Sequence, residues 1–284
     1  MMRRIAIVLG LVLVLSIAVS ATVFDNLVPS TRALGMGGAY ISISNDSNAV
    51  FYNPAGLVEL NNFHAYAAYK RLYNLDSLQY NTLSFAYSLG KWGTVGLGYQ
   101  GFTVKIDGEV LETEQTITLS HGFRLMEDNH TALYLGYNIN SYSLKFGKDY
   151  GSDTALGIDV GIYAKIWKKV ILGFVTKNIN SPYLGNEFPK DLPKRMVMGV
   201  SYEPYRNVIT AFELEKKHNE NMRLHIGVEF EIIKFLTVRF GSETDPNNLT
   251  TGFTLTYSGI GFDYGYMRHP ILSETHQFGL SYSF

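Results

Sequence analysis

The sequence predicts an all-β fold, a transmembrane antiparallel β-barrel of about 14 strands with a separate N-terminal segment. Three observations predict it. After residue 61 apolar and polar residues alternate with a period of two. The alternating segments are long, and their connections are short and long in turn. The chain opens with a secretion-type leader and ends on an aromatic, Phe284.

The leader comes first. Arg3 and Arg4 precede an apolar run from Ile5 to Val19, and Val19-Ser20-Ala21 supplies small residues for a signal peptidase. That run is shorter than the roughly 20 residues a spanning helix needs. Residues 1–21 are therefore expected to be a cleaved signal peptide. No later stretch is long and apolar enough for a membrane helix. The chain carries a formal net charge of −1, which excludes the basic stripe that a nucleic-acid partner requires. It has no cysteine and no His/Cys cluster, so no metal and no cofactor are expected.

The strands follow from alternation. His276, Phe278, Leu280, Tyr282 and Phe284 alternate with Gln277, Gly279, Ser281 and Ser283. Leu224, Ile226, Val228, Phe230 and Ile232 alternate with Arg223, His225, Gly227, Glu229 and Glu231. Such a strand has one apolar face and one polar or small face. The strand centres fall near Ala67, Phe85, Gly98, Leu119, Leu135, Val160, Phe174, Met198, Phe212, Val228, Val238, Thr254, Tyr264 and Leu280. Most segments have about 9–13 residues, the length of a tilted strand crossing a bilayer. None of the eight prolines falls in mid-strand.

Short turns are expected at Gly90–Trp92, Glu127–Asn129, Trp167–Lys169, Glu203–Arg206, Ile233–Lys234 and Ser258–Gly259. Longer loops are expected at Leu72–Ser77, Asp107–Thr113, Phe146–Ser152, Ile179–Pro193, Lys216–Asn221, Thr244–Asn248 and Met267–Ser273. This asymmetry is that of outer-membrane barrels, with short periplasmic turns and longer outside loops. Trp92 and Trp167 both fall at short turns, where a membrane interface favours indole. The expected setting is the bacterial outer membrane, with its lipid on the apolar face. Phe284 is expected to be read there by the barrel-assembly machinery.

The polar face carries Arg124, Asp159, Lys165, Glu213, Glu215, Arg223, Glu229, Glu231, Arg239 and Asp263 as expected lumen residues. Glu215 with Arg223, and Glu229 with Arg239, flank hairpin connections and are expected to pair. Gly96, Gly98, Gly136, Gly157, Gly161 and Gly241 leave inward room for an inserted segment. Residues 22–61 are expected to be that segment, a hatch, with the barrel over 62–284. Pro29 to Leu34 reads as helical turns, Ala39 to Ser44 as a short strand, and Asp46 as the cap of a turn over Ala49-Val50-Phe51. Asn53-Pro54-Ala55-Gly56-Leu57 reads as a further turn.

The run Ser30-Thr31-Arg32-Ala33-Leu34-Gly35-Met36-Gly37-Gly38-Ala39-Tyr40, with Asn45-Asp46, Ala49-Val50-Phe51-Tyr52 and Asn53-Pro54-Ala55-Gly56-Leu57, resembles the hatch of the FadL/TodX family. It is also similar to the related PorV/PorQ barrels. The resemblance implies a 14-stranded barrel whose hatch residues here are Arg32, Gly35, Gly37, Gly38, Asn53, Pro54, Ala55 and Gly56. For FadL-like members it implies passive uptake of fatty acids or other hydrophobic small molecules. For PorV-like members it implies a secreted-protein partner and no solute flux. The longest expected loop, Ile179–Pro193, is too short for the outer binding loops of fatty-acid transporters.

An enzyme is not expected. None of His64, His121, His130, His218, His225, His269 and His276 sits in a recognisable catalytic motif. Gly35-Met36-Gly37-Gly38 lacks the Lys-Ser/Thr of a phosphate loop. The function expected is passive, hatch-gated transport of small hydrophobic solutes, with a structural or secretion-partner barrel as the alternative.

Overall fold

A strand with one apolar face must bury that face or set it against hydrocarbon. A sheet in hydrocarbon cannot leave an edge unpaired. The computed structural model describes residues 24, 27–147, 151–167, 169–185 and 190–284. The leader expected over 1–21 lies outside the described residues. The strands are β1 (Phe63–Arg71), β2 (Leu78–Ser88), β3 (Thr94–Ile106), β4 (Glu109–Glu127), β5 (Thr131–Phe146), β6 (Ser152–Ile166), β7 (Val170–Lys177), β8 (Tyr183–Leu184), β9 (Lys190–Asp191), β10 (Arg195–Tyr205), β11 (Val208–Lys217), β12 (Met222–Ile233), β13 (Leu236–Glu243), β14 (Asn248–Tyr257), β15 (Ile260–Arg268) and β16 (Thr275–Ser283). All but β8 and β9 form one closed up-and-down barrel of 14 antiparallel strands. The β8–β9 pair is a small hairpin within the loop after β7. Each expected strand centre lies in its own barrel strand.

Closure joins β1 to β16, from His64 opposite Ser283 to Arg71 opposite His276. Phe284 extends the seam: its N–H donates to Phe63 O at 3.3 Å, and the two rings lie 5.7 Å apart. Period two then sorts the faces. Phe85, Leu97, Leu119, Ile139 and Ile158 are register partners across five strands and all face outward, exposed. One residue along, Ser84, Thr118 and Asn140 face inward and are buried. A contiguous apolar belt of this kind suits acyl chains, not water. Trp92, Trp167, Tyr205, Phe235, Tyr257 and Phe284 are exposed around the short-turn end and form an aromatic girdle there.

One expectation about the connections is corrected. The link over Asp107–Thr113 is not a loop. Asp107 and Gly108 alone turn, at φ 52° and 82°, and β4 starts at Glu109. Asp-Gly with both φ positive is the turn whose twist matches two flanking strands, so β3 and β4 continue up to it. β4 therefore has 19 residues, and β5 with 16 and β6 with 15 also exceed the expected lengths. Pro204, which has no N–H to give, lies where the β10–β11 register shifts between Tyr202 and Tyr205. In the turn after β4, Asp128 accepts the N–H groups of His130 and Thr131, both at 2.7 Å. Those bonds favour its carboxylate and lower its pKa.

The outward belt makes a test. Leu119→Arg, at the middle of β4, is expected to cost about 2–4 kcal/mol of folding free energy in lipid vesicles, against about 0–1 for an arginine at an interface. Urea titrations of the two variants in the same vesicles measure the difference.

Candidate functional site

A barrel of 14 strands is too wide for its own side chains to fill. Residues 27–61 occupy the space. They have no ladder partner, because the wall's backbone is already paired, so side chains and caps must satisfy them. Helix α1 (Thr31–Gly35) is capped by Ser30, whose hydroxyl accepts from Ala33 N. Gly37 and Gly38, at φ 66° and 88°, then reverse the chain. Asp46 caps a 3-10 turn over Ser47–Phe51, and Asn53 caps a second over Pro54–Glu59. The short strand expected over Ala39–Ser44 is not there. That stretch is a turn, and the Glu213 carboxylate accepts the N–H groups of Tyr40 and Ile41 at 2.8 and 2.9 Å.

Wall and plug meet backbone to backbone along a girdle of inward glycines. A Cβ at Gly227 would stand 2.5 Å from Met36 O, and one at Gly98 2.5 Å from the Phe51 ring. Gly136 faces Pro54 and Ala55, Gly161 faces Asn53, Gly241 faces Gly37, and Gly173 faces Ile41. Polar side chains fix the rest. Asn138 donates to Val50 O at 3.0 Å, and Asn53 donates to Ile162 O at 3.0 Å. His225 donates through Nδ1 to Gly37 O at 2.7 Å. Lys70 reaches Leu27 O and Val28 O, the latter at 2.9 Å. Lys177 donates to Phe51 O at 2.5 Å. Tyr40, hydrogen-bonded to Asp46, has its pKa pushed well up, by burial first and then by the Asp46 charge.

The expected charges do not form one cluster. Glu229 is held by Arg32 of the plug and by Arg239 of the wall, at 2.7 and 2.6 Å. Thr254 and Asp263 continue that network, since Arg239 donates to Thr254 at 2.6 Å. Near the loop end, Glu215 accepts from Arg195 at 3.1 Å and stands 3.5 Å from His225. Arg223 is opposite Glu215 in register but hydrogen-bonds Glu220 at 3.1 Å. Asp159 is buried beside Asn138 and Asn140, and Lys165 pairs with Glu59 of the plug. Arg124 and Glu231 do not join the lumen. Both have the inward phase but stand exposed at the short-turn rim, and Arg124 pairs with Glu127. Strand parity alone does not show that a strand has run past the rim.

Lys70, Lys177 and Arg195, all on inward phases, were not among the expected lumen residues, and His225 was placed on the polar face without a role there. Their phase was the available signal. The expected hatch residues Arg32, Gly35, Gly37, Gly38, Asn53, Pro54 and Ala55 lie in the plug packed against the wall, and Gly56 packs on Ser44 within the plug.

A cavity lies on each side of the plug. The one toward the short turns is polar and includes Arg32, Asp46, His64, Glu229, Arg239 and Asp263 in its wall. The one toward the loops holds about 70 Å³ and is walled by aromatic rings and by Glu114, Asp159, Lys177, Asn178 and Arg195. Beside this second cavity the wall itself changes. β6 pairs with β7 only from Val160 to Ile166. Below Val160 the edge of β6 is closed by loop residues. Ile179 N donates to Ile158 O at 2.9 Å, Ile158 N to Asn180 Oδ1 at 2.9 Å, and Asn180 Nδ2 to Leu156 O at 2.8 Å.

No family model and no curated protein matches the chain. Solved structures do match it. A Pseudomonas aeruginosa FadL homologue aligns with TM-score 0.62 at 12% identity, over 89% of this chain and 97% of that one. The CymD monoaromatic hydrocarbon channel gives 0.65 at 13%, over 92% and 99%. The Pseudomonas putida toluene transporter TodX gives 0.63 at 12%, over 92% and 98%. The fold is that of these barrels. At such identity the likeness speaks for fold alone.

The shared carboxylate of Glu229 sets an order of damage. Glu229→Ala leaves two guanidinium groups side by side without their shared carboxylate, with Asp46 at 3.5 Å still beside Arg32, whereas Arg32→Ala leaves the Glu229–Arg239 pair. The first is expected to cost about 3–5 kcal/mol and the second clearly less, read as shifts in urea midpoint.

Proposed function

We propose that the chain is a bacterial outer-membrane barrel that passes small hydrophobic solutes passively, with residues 27–61 as its hatch. The observation that carries this reading is the loop-side cavity. It ends on the plug and abuts the stretch of β6 that β7 does not pair. A solute entering from the loop end meets aromatic rings and polar side chains there, and then the plug packed on the glycine girdle. Two exits remain. The hatch moves, or the solute leaves sideways where Asn180 stands in for a strand. The concentration gradient supplies the drive. The printed descriptions of the neighbours, a toluene transporter and a monoaromatic hydrocarbon channel, support the solute class. In this reading the leader directs export, and the barrel-assembly machinery reads the end of β16 at Phe284.

The plugged axis favours a second reading, a PorV-like barrel that serves a secreted protein and carries no solute. Toluene uptake into proteoliposomes separates the two. Under the transport reading the intact protein gives saturable uptake, and deletion of residues 24–57 changes it. Asn180→Ala removes two hydrogen bonds at the side seal. It is expected to raise uptake about two- to tenfold if the exit is lateral. Uptake equal to empty vesicles for the parent and both variants, with a protein partner co-purifying from cells, would leave only the second reading.

A further inference from the structure

The outward face of the barrel is apolar along its middle but charged at one end. Among the described residues, and short turns aside, the charged side chains on the outward phase of the barrel strands are Arg71, Lys105, Lys145, Lys216 and Arg268. All are basic, and all stand at the loop end. Glu109 lies beyond them, at the tip of the β3–β4 hairpin. The inward phase of the same strands mixes both signs, as Glu215 opposite Arg223 shows.

Three of these cations fall on one arc. Arg71 of β1 is opposite His276 of β16 and Gln79 of β2. His276 is opposite Tyr266 of β15, and Arg268 stands two residues further along the same face. On the other side Lys105 of β3 donates to Gln79 at 3.2 Å. Two acids temper the arc: Asp76 pairs with Arg71, and Glu274 stands 3.9 Å from His276. Below the arc come phenols, Tyr69 and Tyr264, the second bonded to His276 at 2.8 Å. Below those lies the belt. There β1 presents only Ala67 between Leu83 and Leu280, and only Ala65 between Phe85 and Tyr282. Small residues flanked by large ones leave a shallow groove under Tyr69 and Arg71.

We propose that this arc and groove bind a membrane lipid with an anionic phosphate head, the head at Arg71 between Arg268 and Lys105 and one acyl chain along Ala67 and Ala65. Neighbouring strands are about 4.8 Å apart, so β15 and β3 each stand about 10 Å from β1. Long basic side chains close that span, their stems on apolar surface and their charged ends at the head-group layer. The occupant is a lipid and not a soluble anion, because the arc runs without a break into the face that acyl chains cover. The inference depends on the membrane setting and not on whether a solute passes.

The test reads which lipid lies against the groove. The protein, with Trp92 and Trp167 replaced by phenylalanine, is folded into phosphatidylcholine vesicles holding a minor fraction of brominated-chain phosphatidylglycerol. One reporter is Leu83→Trp at the groove. The other is Phe174→Trp on β7, whose outward face carries no charge. Quenching at Leu83→Trp is expected to match a local phosphatidylglycerol fraction about three- to fivefold above bulk, and quenching at Phe174→Trp to match bulk. About 1 M salt lowers the excess, since it screens the head-group contact. Adding Arg71→Gln, Lys105→Gln and Arg268→Gln together removes it. Ala67→Leu, which fills the groove and leaves the cations, at least halves it. Equal quenching at the two reporters, or an excess that survives loss of the three cations, would overturn the proposal. An excess untouched by Ala67→Leu would remove the groove from the site. Should Leu83→Trp fail to fold, Leu280→Trp on the far side of the groove takes its place.

Discussion

Every other feature of this molecule depends on one constraint: backbone N–H and C=O groups facing hydrocarbon must pair with one another. The β1–β16 seam meets it by leaving no free edge, and Phe284 completes the seam at Phe63. Once the ring is closed, the period-two pattern has only one arrangement that works. Phe85, Leu97, Leu119, Ile139 and Ile158 face lipid, and Ser84, Thr118 and Asn140 face inward. Below Val160 β6 lacks its β7 partner, and that edge is closed by Ile179 N and the side chain of Asn180. A side-chain seal is the weakest point such a wall can have, and it lies beside the cavity.

The interior follows from the same closure. With the wall's backbone fully engaged, the inserted segment cannot join the sheet. It meets the wall through glycines, buried carboxylates and amides instead. Glu213 accepting two plug N–H groups replaces a strand neighbour. Arg32 joins the plug to the wall through Glu229, which Arg239 also holds. The plug is thus part of the folded interior. Opening the axis would break the contacts of Arg32 with Glu229 and of Glu213 with the plug backbone.

The strands were legible because alternation is a local property, and each apolar face announces itself over a few residues. The strand ends were not. Asp107-Gly108 is a strong hairpin signal, but the polar residues around it read as loop, although β3 and β4 continue through them. The hatch was legible at the Asp46 cap, because capping needs particular residue types at particular offsets, whereas the caps at Ser30 and Asn53 stand where only turns were expected. Ala39–Ser44 misled because it is apolar enough for a strand, and only the missing ladder partner shows that it is not one. For the site, Glu229 and Arg239 could be paired from hairpin spacing. Lys70, Lys177 and His225 could not be assigned, since their partners are backbone carbonyls of a segment distant in sequence.

The central claim is that one face of each long strand touches acyl chains while the other encloses the plug. Its most direct measurement is quenching by brominated acyl chains. Single tryptophans are placed in turn at Leu224, His225, Ile226, Gly227 and Val228 of β12, with Trp92 and Trp167 replaced by phenylalanine. The account predicts quenching at Leu224, Ile226 and Val228, and none at the two folded inward variants or at whichever of them folds. Equal quenching along the strand, or a folded protein that stays monomeric in water and is quenched only by iodide, would contradict it.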